Sequence, residues 1–540
     1  MISMNMQGRN VKNARNVMQN DNESALKKGS GKKRRSKKTW RRVLLGLLCV
    51  LVAAGVTAGL GIWTSRYPDV INMGTACNMG NMPGMDMSNM CQAGSGASNS
   101  IPITSLQAPQ SAAHVDEFTL TAQYAHLPFI SKGRADAWTY NGTSPGPTLR
   151  VRQGDLVVVH LVNHLSVGVT IHWHGVAVPN SADGVAGVTQ DAVKPGQSYT
   201  YRFLAKDPGT YWYHSHQESF EQTGKGLYGM LVIEPAKPAV HDDVDMGLAL
   251  HTWNNMLAIN MSTGTQSLNA RPGQWIRLRI VNTDNTAHLL TLIGAPFLVA
   301  ALDGHDLNGP TPLTAVPVSI DAGQRYDLRF QMPQQGPVAL ITANDNGQYQ
   351  TTPRVLIGQE GDFHASISNP PMSQKVFDFT TYGHQAPDTI TPNSHFDVTY
   401  TISLGFTFGF SNMRPGPVFT LDGESFPHTP MLMVRPGELV RLRFVNDADA
   451  GDHPMHLHGH TFTVLAKNGH PLTGSPVHLD TISVGPHERY DVAFYADNPG
   501  LWMLHCHNLF HANHGMDMML VYPNISTPYS IGYTSGNFPD

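Results

Sequence analysis

Charge is scarce in this chain. Only 14% of its 540 residues are Asp, Glu, Lys or Arg, whereas Gly (51) and Pro (37) are plentiful. That balance argues against a helical body and for short strands joined by many turns. Positive charge is scarcer still past residue 42. The first 42 residues carry 13 Lys/Arg against Asp21 and Glu23, which leaves 23 basic and 38 acidic residues for everything after them. An acidic body excludes a nucleic-acid partner, because phosphate contacts need positive charge on the folded surface. Cysteine is the rarest residue, with Cys49, Cys77, Cys91 and Cys506 only. A cysteine set among other metal-prone side chains therefore stands out.

At roughly 150 residues per domain, the length suggests three or four domains. The basic tail, residues 1–42, is followed by VLLGLLCVLVAAGVTAGLGIW (43–63). About twenty uncharged, mostly apolar residues suffice to cross roughly 30 Å of hydrocarbon as a helix. The flanking positive charge keeps the N-terminus in the cytoplasm, so the expected arrangement is a single-pass membrane anchor with the body on the extracytoplasmic side. The alternative is a signal segment cleaved after small residues such as Ala58 and Gly59, giving a secreted protein. Arg41-Arg42 also allow twin-arginine export. Cys49 follows Leu48 where a lipid-attachment site wants a small residue, which argues against lipidation.

Next comes NMGTACNMGNMPGMDMSNMC (72–91), with six Met and two Cys and no helical or strand period. Thioethers and thiols are soft ligands that favour Cu(I). The segment reads as a Met-rich linker, 64–112, that binds copper, with a Cys77–Cys91 disulfide as the alternative.

Beyond residue 113 the chain repeats itself. VRQGDLVVVHLVN (151–163), ARPGQWIRLRIVN (270–282) and VRPGELVRLRFVN (434–446) share a Gly turn, an alternating strand and a closing Val-Asn. KPGQSYTYRF (194–203), DAGQRYDLRF (321–330) and GPHERYDVAF (485–494) recur later in each unit. Repeats this far apart are whole domains, and short strands between turns make each a β-sandwich or barrel. The expected boundaries are 113–236, 237–371 and 372–527, followed by a tail, 528–540. The first and third units carry IHWHG with YHSH and MHLHG with LHCH, whereas the middle unit has AHLLTLIG (287–294), with one histidine, and QGPVALITAN (335–344), with none.

Side chains alternate across a strand, so i and i+2 share a face. His172/His174, His214/His216, His456/His458 and His505/His507 are four such pairs, two from each of two related domains. Together they point to one shared multinuclear metal site. In HCHNLFHANHGM (505–516), Cys506 faces away from His505 and His507, so one strand serves two centres back to back. Thiolate, two imidazoles and a distant thioether form the ligand set of a blue-copper electron-transfer centre. His511 and Met516 lie in the same segment. The second imidazole is expected from His453, whose odd spacing from His456 turns it to the other face. His514 is read as a bystander.

HWHG, HSH, HPMHLHGH and HCHNLFHANHGM, in that order, resemble the four copper motifs of the three-domain multicopper oxidases, the family of laccases, ascorbate oxidase and bacterial cuprous oxidases. The resemblance spans about residues 113–527. It implies an all-β protein of three cupredoxin-like Greek-key β-sandwich domains holding four coppers. Type 1 copper would take His453, Cys506 and His511 with axial Met516. Type 2 copper would take His172 and His456, and the type 3 pair His174, His214, His216, His458, His505 and His507. The activity implied is four one-electron oxidations coupled to reduction of O2 to water. Asp183, in PNSADG, matches the family's acidic residue near the type 2 copper, with a role in hydrogen bonding and proton supply. Several bacterial relatives carry another acid just after the second type 1 His, where this chain has Ala512, which puts proton delivery from that side in doubt. The expected reductant is Cu(I), from the Met-rich linker and from Asp447, Asp449 and Asp452 just ahead of His453. A laccase-like oxidation of phenols and aromatic amines is the alternative. The expected oligomeric state is a monomer.

Overall fold

A computed structural model describes residues 37–74, 100–128, 134–343, 348–364, 375–447 and 451–540. Most of the basic tail, the Met-rich stretch from residue 75 on with Cys77 and Cys91, and Asp449 lie outside the described residues. The chain divides into two units, residues 1–60 and 61–540.

In the first unit the described residues belong to one α-helix, Lys37–Thr64, which ends just past the division. It starts six residues ahead of the apolar segment. Its apolar stretch, Trp40–Thr64, contains 25 residues, about 37 Å at the helical rise of 1.5 Å per residue. By length and composition it is able to cross a bilayer.

The second unit is nearly all β, arranged as three pairs of sheets. The repeats explain the architecture. Their strands, Leu156–Asn163, Trp275–Asn282 and Leu439–Asn446, each lie between a parallel and an antiparallel neighbour. The parallel neighbours are Val115–Pro128, Val244–Trp253 and Val398–Ser411. The antiparallel ones are Ser198–Leu204, Arg325–Gln331 and Arg489–Tyr495. Apolar residues alternate with Arg along Trp275–Asn282 and Leu439–Asn446, whereas Leu156–Asn163 is apolar and buried over most of its length. The closing Asn has a structural reason. Asn163 Nδ2 donates to the carbonyls of Val167 and Val193, both at 2.7 Å. Asn282 does the same to Thr286 and Ile320, and Asn446 to Gly451 and Val484. One buried amide therefore ties the end of each repeat strand to the two loops beside it.

The opposing sheets carry the histidine motifs. In the first sandwich the strand order is Gly146–Arg152, Tyr228–Glu234, Gly209–His214, His172–His174. In the third it is Leu432–Met433, Asp517–Val521, Leu501–Cys506, His453–Leu457, Thr481–Val484. Each pairs its two histidine strands directly, with His172 opposite His214 and His456 opposite His505. The intervening Trp173 turns into the core of the first sandwich, against Phe203 and Tyr201.

Both described ends of the segment read as a linker, 64–112, pack on the second unit. Tyr67, Ile71, Met73 and Ile103 are buried. Ile101–Pro102 pairs in parallel with Ile525–Ser526, and Ile71 bridges Ile531. The flanks of a polar stretch thus carry a few apolar residues that bury against the C-terminal segment, a pattern too short to show as a period.

Candidate metal centre

The four HxH pairs converge. His172 stacks on His458 with ring centroids 3.8 Å apart, and His174 on His456 at 3.7 Å. Each stack joins one ring from the first sandwich to one from the third. All eight imidazoles are buried. Their nitrogens form compact sets of His174, His214 and His507, of His216, His458 and His505, and of His172, His174 and His456. Strand alternation accounts for His172 and His174, both within one strand. In the other three pairs the second histidine lies just past its strand end. Two of those rings are positioned by hydrogen bonds from the loops. His216 Nδ1 faces the Pro539 carbonyl at 3.1 Å, and His458 Nδ1 faces the Asp183 carboxylate at 3.0 Å.

Cys506 lies between His505 and His507 in sequence, and its sulfur belongs to a separate buried set with His453 and His511. Sγ is 3.8 Å from His453 Nδ1 and 3.5 Å from His511 Nδ1, and those two nitrogens are 3.2 Å apart. Met516 is fully buried, and its carbonyl accepts from Cys506 N at 3.1 Å. The loop therefore returns to the backbone of Cys506. His514 instead hydrogen-bonds the Phe510 carbonyl at 2.7 Å. Phe419 lies flat on His511 at 3.9 Å.

The chemistry of these donors fits copper. Buried nitrogens normally find partners, yet Nε2 of His172, His214, His216, His453 and His456, Nδ1 of His174 and both nitrogens of His507 have none among the protein atoms. Burial, with mutual repulsion among the rings, depresses His174, His214, His216, His458 and His507 well below the ordinary imidazole range. Burial lowers His453 to about 4, and burial with His453 lowers His511 to about 3. Neutral imidazoles with inward lone pairs are metal ligands in waiting. Burial pushes the Cys506 thiol up, so a thiolate there requires a bound cation. Thiolate with imidazoles suits copper.

Asp183 is fully buried between two of the rings. Its carboxylate is 3.0 Å from His172 Nδ1 through one oxygen and 3.0 Å from His458 Nδ1 through the other. Burial raises its pKa, partly offset by His172.

Three further residues shape the centre without a signal in the motifs. The Asp480 carboxylate lies 3.1 Å from His174 Nε2 and 3.3 Å from His456 Nδ1. Burial alone would raise its carboxyl, but the Arg325 guanidinium outweighs that and holds it well below the usual range. Arg325 and Gly323 both come from the middle sandwich. Gly323 has φ +81°, and a Cβ there would lie 2.8 Å from His507 Cγ and 3.1 Å from His174 Cε1. The only hint was DAGQRYD, in which Gly323 and Arg325 are embedded as ordinary members of the repeat.

Two profiles of the multicopper oxidase family match this chain, one over residues 121–238 and the other over 392–526. The chain is 29% identical to multicopper oxidase MmcO of Mycobacterium tuberculosis over 75% of its own length and 86% of that protein. It is 28% identical to laccase-1 of Botryotinia fuckeliana, covering 73% and 80%. Among solved structures, a multi-copper oxidase from Pseudomonas thermotolerans superposes with TM-score 0.61 at 27% identity, covering 77% of this chain and all of that one.

Proposed function

Because this chain belongs to the multicopper oxidase family, we propose that it couples four one-electron oxidations of Cu(I) to the reduction of O2 to water, on the outer side of a membrane crossed by residues 43–63. The observation that carries the coupling is covalent. The sulfur of the mononuclear set belongs to Cys506, and the residues on either side of it, His505 and His507, belong to the cluster.

In this reading His453, Cys506 and His511, with Met516, would hold the type 1 copper. His172 and His456 would hold the type 2 copper, and His174, His214, His216, His458, His505 and His507 the type 3 pair. Copper supplies the one-electron chemistry and the reduction of O2. The chain supplies the rest. The peptide backbone on either side of Cys506 fixes the spacing of the two centres. Asp183 orients His172 and His458 through their Nδ1 protons, and its raised pKa suits it to holding and releasing a proton beside them. Burial on every side keeps bulk water from the cluster.

Cu(I) is favoured by the acidic loop ahead of His453. Asp447 and Asp452 flank it, and burial together with Glu488 raises Asp452. Carboxylates beside the electron-accepting site attract a metal cation, and the acidic body adds to that field. A laccase-like oxidation of phenols and aromatic amines is the second reading, favoured by the Phe419 ring on His511 and by the laccase among the similar proteins.

Oxygen uptake by the copper-loaded full chain, with Cu(I) and with a phenol, separates them. Under the first reading the double variant Asp447→Asn, Asp452→Asn loses Cu(I) oxidation selectively. Faster phenol turnover, with both rates insensitive to the substitutions, rejects Cu(I) in favour of the laccase reading.

A further inference from the structure

The strand Val398–Ser411 carries Ile402, Leu404, Phe406, Phe408 and Phe410 at alternate positions, hence on one face. Ile402 and Leu404 are buried in the third sandwich. The apolar alternation then continues past the point where the sandwich covers it, so that Phe406 is 41% and Phe408 79% exposed. The partner strand, Arg414–Leu421, sets Phe419 opposite Phe406, Pro417 opposite Phe408 and Pro415 opposite Phe410. From Gly405 to Leu421 there is no acidic residue and one basic one, Arg414. The result is a two-stranded apolar ribbon in a protein that otherwise covers its core.

The two ends of the ribbon have distinct neighbours. At the inner end Phe419 stacks on His511. At the outer end the turn residues Asn412 and Met413 are bonded to the chain just after the apolar helix. Met413 N donates to Ser65 Oγ at 3.1 Å, and Tyr67 N donates to Asn412 Oδ1 at 3.2 Å. Gly61 admits the Phe410 ring, which would lie 2.6 Å from a Cβ at that position. Ser65 directly follows the stretch Trp40–Thr64, and Trp63 is 74% exposed. A tryptophan at the end of an apolar helix marks the headgroup level of a bilayer, where aromatic rings are favoured.

We propose that the hairpin tip, with Phe406, Phe408, Phe410 and Met413, seats in the interfacial layer of the bilayer. This rests on the reading of 43–63 as a retained anchor. If that stretch crosses the membrane, chain connectivity alone holds the turn at its surface, whatever the tilt of the helix. The exposed phenylalanines then have an apolar phase to enter, and the ribbon's one charge, the exposed Arg414 beside the turn, suits the anionic headgroup level. The same seating brings the His511 face close to the lipid.

The test is photolabelling of the copper-loaded full chain in vesicles of phosphatidylcholine and phosphatidylglycerol that include a phosphatidylcholine with a diazirine on its acyl chain. Adducts are located by peptide mass spectrometry. The expected result is labelling both within 40–64 and within 406–413, with the second lost and the first kept in Phe408→Ser. Labelling confined to 40–64 overturns the hairpin proposal and leaves the anchor standing. Labelling in neither region overturns the anchor reading and the proposal with it.

Discussion

Arg325 and Asp480 are joined by two hydrogen bonds, of 2.5 and 2.7 Å, although 155 residues separate them and both are fully buried. The arginine belongs to the middle sandwich, which contributes none of the eight paired histidines. The aspartate belongs to the third sandwich, and the Oδ1 that accepts from Arg325 Nη1 also lies 3.1 Å from His174 Nε2 and 3.3 Å from His456 Nδ1. Asp303, pushed up to about 7 by burial against the pull of Arg325, lies on the other side of the guanidinium.

Removing the guanidinium strands the aspartate. Breaking a buried pair typically costs about 3–5 kcal/mol, because the remaining charge has lost its partner. Arg325→Met is therefore expected to lower the thermal midpoint and to loosen His174 and His456 together. Calorimetry and copper stoichiometry check this. Unchanged copper content would show that Asp480 does not depend on Arg325 to hold the two rings.

Gly323→Ala is a smaller change with a local effect. A methyl group 2.8 Å from one cluster ring and 3.1 Å from another must displace them, and the positive φ adds strain. Oxygen uptake is expected to fall roughly 10–100-fold, the range for disturbed support of a metal site. The visible absorption of the Cys506 site should persist, since its ligands do not touch Gly323.

Asp183→Asn keeps the shape and removes the acid. Because Asp183 touches cluster rings and not the Cys506 set, anaerobic bleaching by a reductant should proceed at the wild-type rate. Oxygen uptake should fall by about 10–100-fold. Equal losses in both assays would assign Asp183 a structural role alone.

Asp321 gives a pH test. Burial pushes its carboxyl up to about 6 in the folded protein, despite hydrogen bonds from Ser483 and Ala322. The unfolded value is about 3.9. A raised carboxyl holds its proton in the folded state while the unfolded chain ionises. Stability from this group is thus intact below about pH 4, falls up to about pH 6 and stays reduced above it, by about 3 kcal/mol. Asp321→Asn should raise the denaturation midpoint near pH 8 and leave it unchanged near pH 4. A gain of equal size at both pH values would rule out the carboxyl's ionisation as its origin.

The residues that cluster as candidate ligands were legible where a local rule applies. His172 and His174 follow strand alternation, His453 takes the opposite face from His456, and Cys506 the opposite face from its neighbours. Their supports were not legible, since Asp480 meets His174 across 306 residues and Arg325 across 155. No spacing rule encodes contacts between sheets that only the folded sandwiches bring together. The closing Asn of each repeat was visible as a pattern, and its reason, a clamp on two neighbouring loops, became visible only with the carbonyls in place.

Gly323, pressed against two rings of the cluster, gives the middle sandwich a duty that outlasts its lost histidines. It is a wall of the reaction chamber. Deleting that sandwich would remove none of the eight paired histidines, yet it would uncover two of their rings.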